Sequence, residues 1–379
     1  MADRQKTRKQ RLIKSGLVLV AAFLIGLTVS ALAGVVMSGI AFWMLSRRVG
    51  IPVMTYHSVS ADADWLPWAR NISVRPEVFT RHMDVLKSGK WTVIPDRVLF
   101  DVMAGKAEVP ARSVVLHFDD AYADVFANAV PVLKRHNFPA CVFASSDFID
   151  QSADIRADLG TAPKGYMNAA ELVSLDTDPN FEISSHGKDH SRIAIAGATV
   201  PRPEPKVWGP ETAYLWSMFD GDKSRWFETA PPHDTEIPAN DSALTARQEG
   251  ESEIDQLSRI TASLKAARGN LSNLLGRDVT YLCWPFDRVN DVALKAATQA
   301  GFTHVTGGRD DNRAGSGATM VSRTHVNDFA AGPAPLWVEA LVFHAKLEVA
   351  SGNLLWMPIT TLAKLRRKRT ITFLHSHLA

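Results

Sequence analysis

"VVLHFDDAYAD", residues 114–124, sets two carboxylates, Asp119 and Asp120, directly behind an apolar run. A run of this length rich in Val and Leu reads as a buried strand of a parallel sheet, so both acids fall at its carboxyl end. In α/β folds that end carries the chemistry. Adjacent carboxylates repel, and near neutral pH they stay ionised together only when a cation lies between them or their fields are separated. The stretch therefore asks for a metal.

Outward from it, short apolar runs alternate with helical periods, which predicts an α/β fold built on a mostly parallel sheet or barrel. The expected strands are 52–57, 113–118, 140–145, 181–185, 279–284, 302–306 and 370–375. The clearest helix spans Glu253 to Leu275, with Ile254, Leu257, Ile260, Leu264, Leu271 and Leu275 on one stripe and Gly276 as its stop. Another covers Asp291 to Ala300 before Gly301. Residues 200–252, rich in Pro, Asp, Glu and Trp, break the pattern and read as an irregular insertion.

Composition is ordinary for a globular chain of 379 residues, 46% hydrophobic and 22% charged, except at the start. Ser15 to Ser46 carries no charge, a longer stretch than the roughly 20 residues a bilayer core requires. It predicts one N-terminal transmembrane anchor over 15–46. Six basic residues lie in the basic tail 1–14, which the positive-inside rule keeps cytoplasmic, so the remainder faces the periplasm or the cell exterior. A signal peptide cut after Ala33 is the competing reading. Eight basic residues and one acid fall in the first 48 of a chain with net charge +2, which leaves −5 for the rest and gives no footprint for nucleic acid. Cys141 and Cys283 both sit in apolar runs and read as buried free thiols.

In "FEISSHGKDHS", His186 and His190 stand four apart behind a predicted strand. On a helical turn that spacing puts both imidazoles on one face. With Asp120 they make two His and one carboxylate, a catalytic metal set with open positions. "HFDDAYADVFANAVPVLKRHNFPACVFAS", "EISSHGKDH" and "YLCWPFDRVNDVALKAATQAGF", with the opening "IPVMTYHSVS", resemble in order the motifs of the polysaccharide deacetylases, the NodB-homology family. The resemblance covers residues 51–379. It implies a distorted (β/α) barrel of about seven strands that binds a divalent metal, zinc first, and removes acetyl groups from N-acetylated glycans.

Carried over by position, Asp119 is the general base, while Asp120, His186 and His190 hold the metal. One acid is then neutralised by the cation and its neighbour stays free to take a proton from water. The family's last motif, a strand ending in Leu-His, falls on "TITFLH" and makes His375 the acid that protonates the departing amine, with His377 as rival. Trp284, Pro285 and Phe286 of the third motif, with His57 at the end of the first strand, are expected to line the substrate. His117 and Ala121 replace the usual Thr and Gly beside the acids, and strand alternation puts His117 on the face of Asp119. Cys283 stands where the third motif often has an Arg, so any Arg steadying Asp119 comes from elsewhere, with Arg323 and Arg288 the candidates. His325 has no motif context. Trp208, Trp216 and Trp226 offer faces for sugar rings or pack the insertion down. The reading that follows is a membrane-anchored, metal-dependent deacetylase of envelope glycan. Its rivals are a deacetylase or deformylase of a lipid-linked sugar and a lapsed, glycan-binding relative.

Overall fold

The computed structural model describes residues 2–376 apart from 29–30, 161, 198, 200–207, 209–211, 213, 217–220, 232–235 and 309–310. Nine parallel strands form one sheet: β1 (Val53–Tyr56), β2 (Thr92–Val93), β3 (Ser113–Phe118), β4 (Ala140–Ala144), β5 (Phe181–Ser185), β6 (Tyr281–Leu282), β7 (His304–Thr306), β8 (Met320–Val321) and β9 (Thr324–His325). The path runs β8-β7-β6-β5-β4-β3-β1-β9, with β2 pairing to the start of β3. Its two edge strands are separated in sequence only by Ser322 and Arg323, so the sheet must curl until its edges meet, as a barrel does.

The central strands β3 and β4 are largely apolar and buried along their length, as strands covered on both faces must be; all six residues of β3 and all five of β4 are buried. Helices α3 (Pro76–Ser88), α4 (Asp96–Met103), α5 (Val130–His136), α6 (Ala169–Asp176), α7 (Glu253–Leu275) and α8 (Asp291–Gln299) connect them. Ser252 caps α7 by accepting the Asp255 N–H, and Gly276, at φ 66°, ends it. Ile254 departs from the expected stripe and is exposed.

One expectation is overturned and a second is not supported. The predicted strand 370–375 is part of a helix, α10 (Met357–Ser376), which packs on α9 (Leu336–Ser351). No Gly or Pro separates "TITFLH" from the helical run before it, so the helix propagates through residues of strand preference. The seam strand is Thr324–His325 instead. The uncharged stretch 15–46 is divided between α1 (Ala2–Thr28), whose first half is polar, and the 16-residue α2 (Ala31–Ser46). The two pack together, and Arg11 donates to the Met44 carbonyl at 2.8 Å. Neither apolar segment reaches the ~20 residues a span needs, and among the described residues no helix is long and apolar enough to cross a membrane. Leu17, Val20, Val35, Phe42 and Trp43 on the pair are exposed.

The seam is stapled by Asn312. Its amide donates to the carbonyls of Ile51 (2.9 Å) and Ser322 (2.8 Å) and accepts the Ser322 N–H (2.8 Å), all buried. Asn312→Ala leaves three buried backbone groups unpaired. It should lower the unfolding free energy by about 2–4 kcal/mol, read as a shift of the urea midpoint.

Candidate active site

All the functional side chains gather where the strands end. His57 follows β1, Asp119 and Asp120 follow β3, His186 follows β5, Trp284 follows β6 and Arg323 joins β8 to β9. They line a cavity of about 250 Å³ together with His190, Phe286, Asp287 and His325. Pro285 is buried beside a separate hollow of about 200 Å³ next to His190.

The adjacent acids diverge because the chain turns left-handed between them. Asp120 has φ 70° and Ala121 φ 51°, where an L-residue costs roughly 1–2 kcal/mol, a strain of the kind concentrated at working sites. Asp120 turns to His190 (Oδ1 to Nε2, 3.0 Å) and His186 (Oδ1 to Nε2, 3.3 Å). The two histidines do not lie on a helical turn: they flank a bend with Gly187 at φ 76° and His190 at φ 53°. The His186 Nδ1–H donates to the Cys283 carbonyl at 3.0 Å, which fixes the tautomer and leaves Nε2 as a ligand.

These donors suit a divalent ion. Ligands held tetrahedrally at ~2.0–2.1 Å stand about 3.3 Å from one another, close to the spacings observed, and a fourth position is left open. The His190 Nε2 is buried and has no partner among the described residues besides Asp120. Burial works to raise Asp120, yet the two imidazoles hold it well below the usual carboxylate range. A second group, Asp119, His186 and Cys283, also converges, but burial keeps the Cys283 thiol protonated and Asp119 is engaged elsewhere.

Asp119 belongs to Arg323. Nη1 lies 2.7 and 2.9 Å from its two oxygens, and both side chains are almost fully buried. Burial pushes Asp119 up; Arg323, His57 and His186 outweigh it and hold the carboxyl at about 2. Of the two expected arginines it is therefore Arg323 that steadies the acid, whereas Arg288 pairs with Asp241. Arg323 also binds Asp287 at a short distance, and Asp287 in turn receives His325. His57 Nε2 stands 3.6 Å from Asp119 Oδ2, and burial lowers His57 to about 4 despite the nearby acids. Asp124 fixes the chain beyond His57 by accepting from the Ser58 hydroxyl (2.6 Å) and the Val59 N–H (3.0 Å).

The profile of the polysaccharide deacetylases matches residues 106–305, more than half of the chain. The chain belongs to the polysaccharide deacetylase family. Within the family, YxkH of Bacillus subtilis (strain 168), named a polysaccharide deacetylase, is 25% identical over 179 residues. That alignment spans 47% of this chain and 54% of YxkH, so the chain covers about half the length of this curated relative. The fold is shared with a de-N-acetylase from Aggregatibacter actinomycetemcomitans (21% identity, TM-score 0.53, covering 73% of this chain and 95% of that one). It is shared also with IcaB from Ammonifex degensii (14%, 0.52, covering 83% and 97%) and the deacetylase domain of BpsB from Bordetella bronchiseptica (19%, 0.51, covering 74% and 97%).

Three sequence expectations for this site change. His375 lies in α10 rather than at a strand end, so the motif assigned to it is not formed; His377 lies outside the described residues. His325, which has no motif context, sits in the cavity because the short β9 closes the seam there. His117 shares the inward face of β3 but sits away from the cavity, bonded to buried Asp96 at 2.9 Å.

Arg323→Leu removes the cation that counters the burial of Asp119. The acid limb of the kcat/KM–pH profile should move upward by roughly 1–3 units. An unmoved limb would separate Arg323 from the titration of Asp119.

Proposed function

We propose that this deacetylase hydrolyses N-acetyl groups of an envelope glycan, with Asp119 as base, Asp120, His186 and His190 holding a divalent ion such as zinc, and His57 as proton donor. The observation that carries the reading is the split between neighbours: Asp119 is held ionised by Arg323, while Asp120 faces two ligand nitrogens. The ion, when bound, supplies a Lewis acid for the amide carbonyl. Asp119 takes the proton of the attacking water, and Arg323 keeps it ionised for that step. The amine leaves only once protonated, and His57, 3.6 Å from Asp119, is the imidazole nearest that carboxylate outside the ligand pair. Burial holds His57 neutral in the free site, so it gains its proton as negative charge grows beside it.

The exposed apolar side chains of α1 and α2 support attachment to a membrane surface. They also favour, as a second reading, a lipid-linked sugar as the natural substrate. A lapsed site is supported by the missing motif Arg and by His117 and Ala121 beside the acids; Arg323 answers only the first of these.

Acetate release from N-acetylglucosamine oligomers tests the activity. Asp119→Asn should retain stoichiometric metal and lose turnover by about 100-fold or more, whereas Asp120→Ala should lose the metal. Normal turnover by Asp119→Asn would remove it as base.

His57→Ala should cost the amide reaction roughly 100–10,000-fold. With 4-nitrophenyl acetate, whose leaving group needs no proton, the loss should stay under about tenfold. Equal losses on both substrates would point to positioning instead.

A further inference from the structure

The cavity is two-sided. One side carries the charged groups already described, and the other is a wall of Trp68, Ile72, Tyr122, Phe148, Tyr166 and Trp216. Trp216 comes from the 200–252 insertion and is 3% exposed. Its ring meets Phe148 at 5.2 Å and Trp68 at 6.0 Å, with Trp226 behind at 5.5 Å. Trp226 stacks on Trp68 and donates its N–H to the Tyr166 hydroxyl at 2.8 Å, so the wall is braced from behind.

The polar atoms of this wall are largely consumed. The Tyr166 hydroxyl is taken by Trp226, and that of Tyr122 faces Trp68 and Asp120. The Trp216 N–H is buried without a partner among the described residues, so beyond that donor and the Tyr166 O–H proton the wall offers little. A sugar ring pressed here would leave most of its hydroxyls unpaired, which is costly; a hydrocarbon chain makes no such demand. A larger hollow of about 810 Å³ adjoins the opposite side across Phe286, Asp287, Arg323 and His325. Asp241 and Arg288 there pair with each other but remain part-exposed, so their outer polar atoms can meet hydroxyls.

An amide has a hydroxylated end on nitrogen and a hydrocarbon end on carbon, and the two hollows differ in the same sense. We propose that the aromatic chamber is the acyl subsite, that Trp216 is its end wall, and that the enzyme accepts short N-acyl groups longer than acetyl. This rests on the deacetylase reading. The products balance as a carboxylate and a protonated amine, with one water consumed.

The test is kcat/KM for N-acetyl, N-propionyl and N-butyryl glucosamine oligomers with the full-length, metal-loaded protein. The butyryl substrate should fall within about tenfold of acetyl. A methylene in an apolar pocket changes discrimination by roughly 10–200-fold, so Trp216→Ala should raise the butyryl-to-acetyl ratio by about tenfold or more. Phe148→Ala, on a different element, should move the ratio the same way if Trp216→Ala does not fold. Acetyl turnover with propionyl and butyryl silent would overturn the chamber assignment alone. So would an equal loss on all three substrates in both variants. No turnover of any substrate would overturn both readings.

Discussion

Arg323 buries a guanidinium with only 3% of its side chain exposed, which is tolerable because Asp119 and Asp287 close on it from two sides. The side chain hangs from the two-residue link between the edge strands of the sheet. Barrel closure and the charge state of Asp119 are thus one event. Were the edges to part, Asp119 would remain buried without its cation and would drift toward its protonated, inert form.

The same economy separates two identical side chains one residue apart. A left-handed turn at Asp120 and Ala121 points one carboxylate at imidazole nitrogens and leaves the other facing a guanidinium. Ala121 does this without the freedom a glycine would bring, so local strain is held by the surrounding barrel. Asp124, a turn further on, keeps the segment after His57 in place from the same helix entry.

How legible this was in the sequence depended on length and local signal. The runs at 113–118, 140–144 and 181–185 are long and apolar enough to declare themselves, and Ser252 and Gly276 mark α7 at both ends. Strands of two residues, such as Met320–Val321 and Thr324–His325, have no period to detect, and the seam with its Arg and His was hidden for that reason. Asp119, Asp120, His186 and His190 could be read from their motifs, but the geometry joining the histidines is a bend set by Gly187, which spacing alone mistakes for a helix. "TITFLH" misled through residue preference, because what precedes it decides whether a helix continues. The uncharged N-terminal stretch misled through length, because its apolar residues are shared between two packed helices.

The partners in the Asp119–Arg323 contact are 204 residues apart in the chain. At ~5–20 residues per second, the arginine leaves the ribosome roughly 10–40 s after the acid. A nascent chain already holding both carboxylates and both ligand histidines therefore lacks the group that arms the base. The cation that holds Asp119 ionised is thus made late, and a product truncated before residue 323 would bury that carboxylate without it.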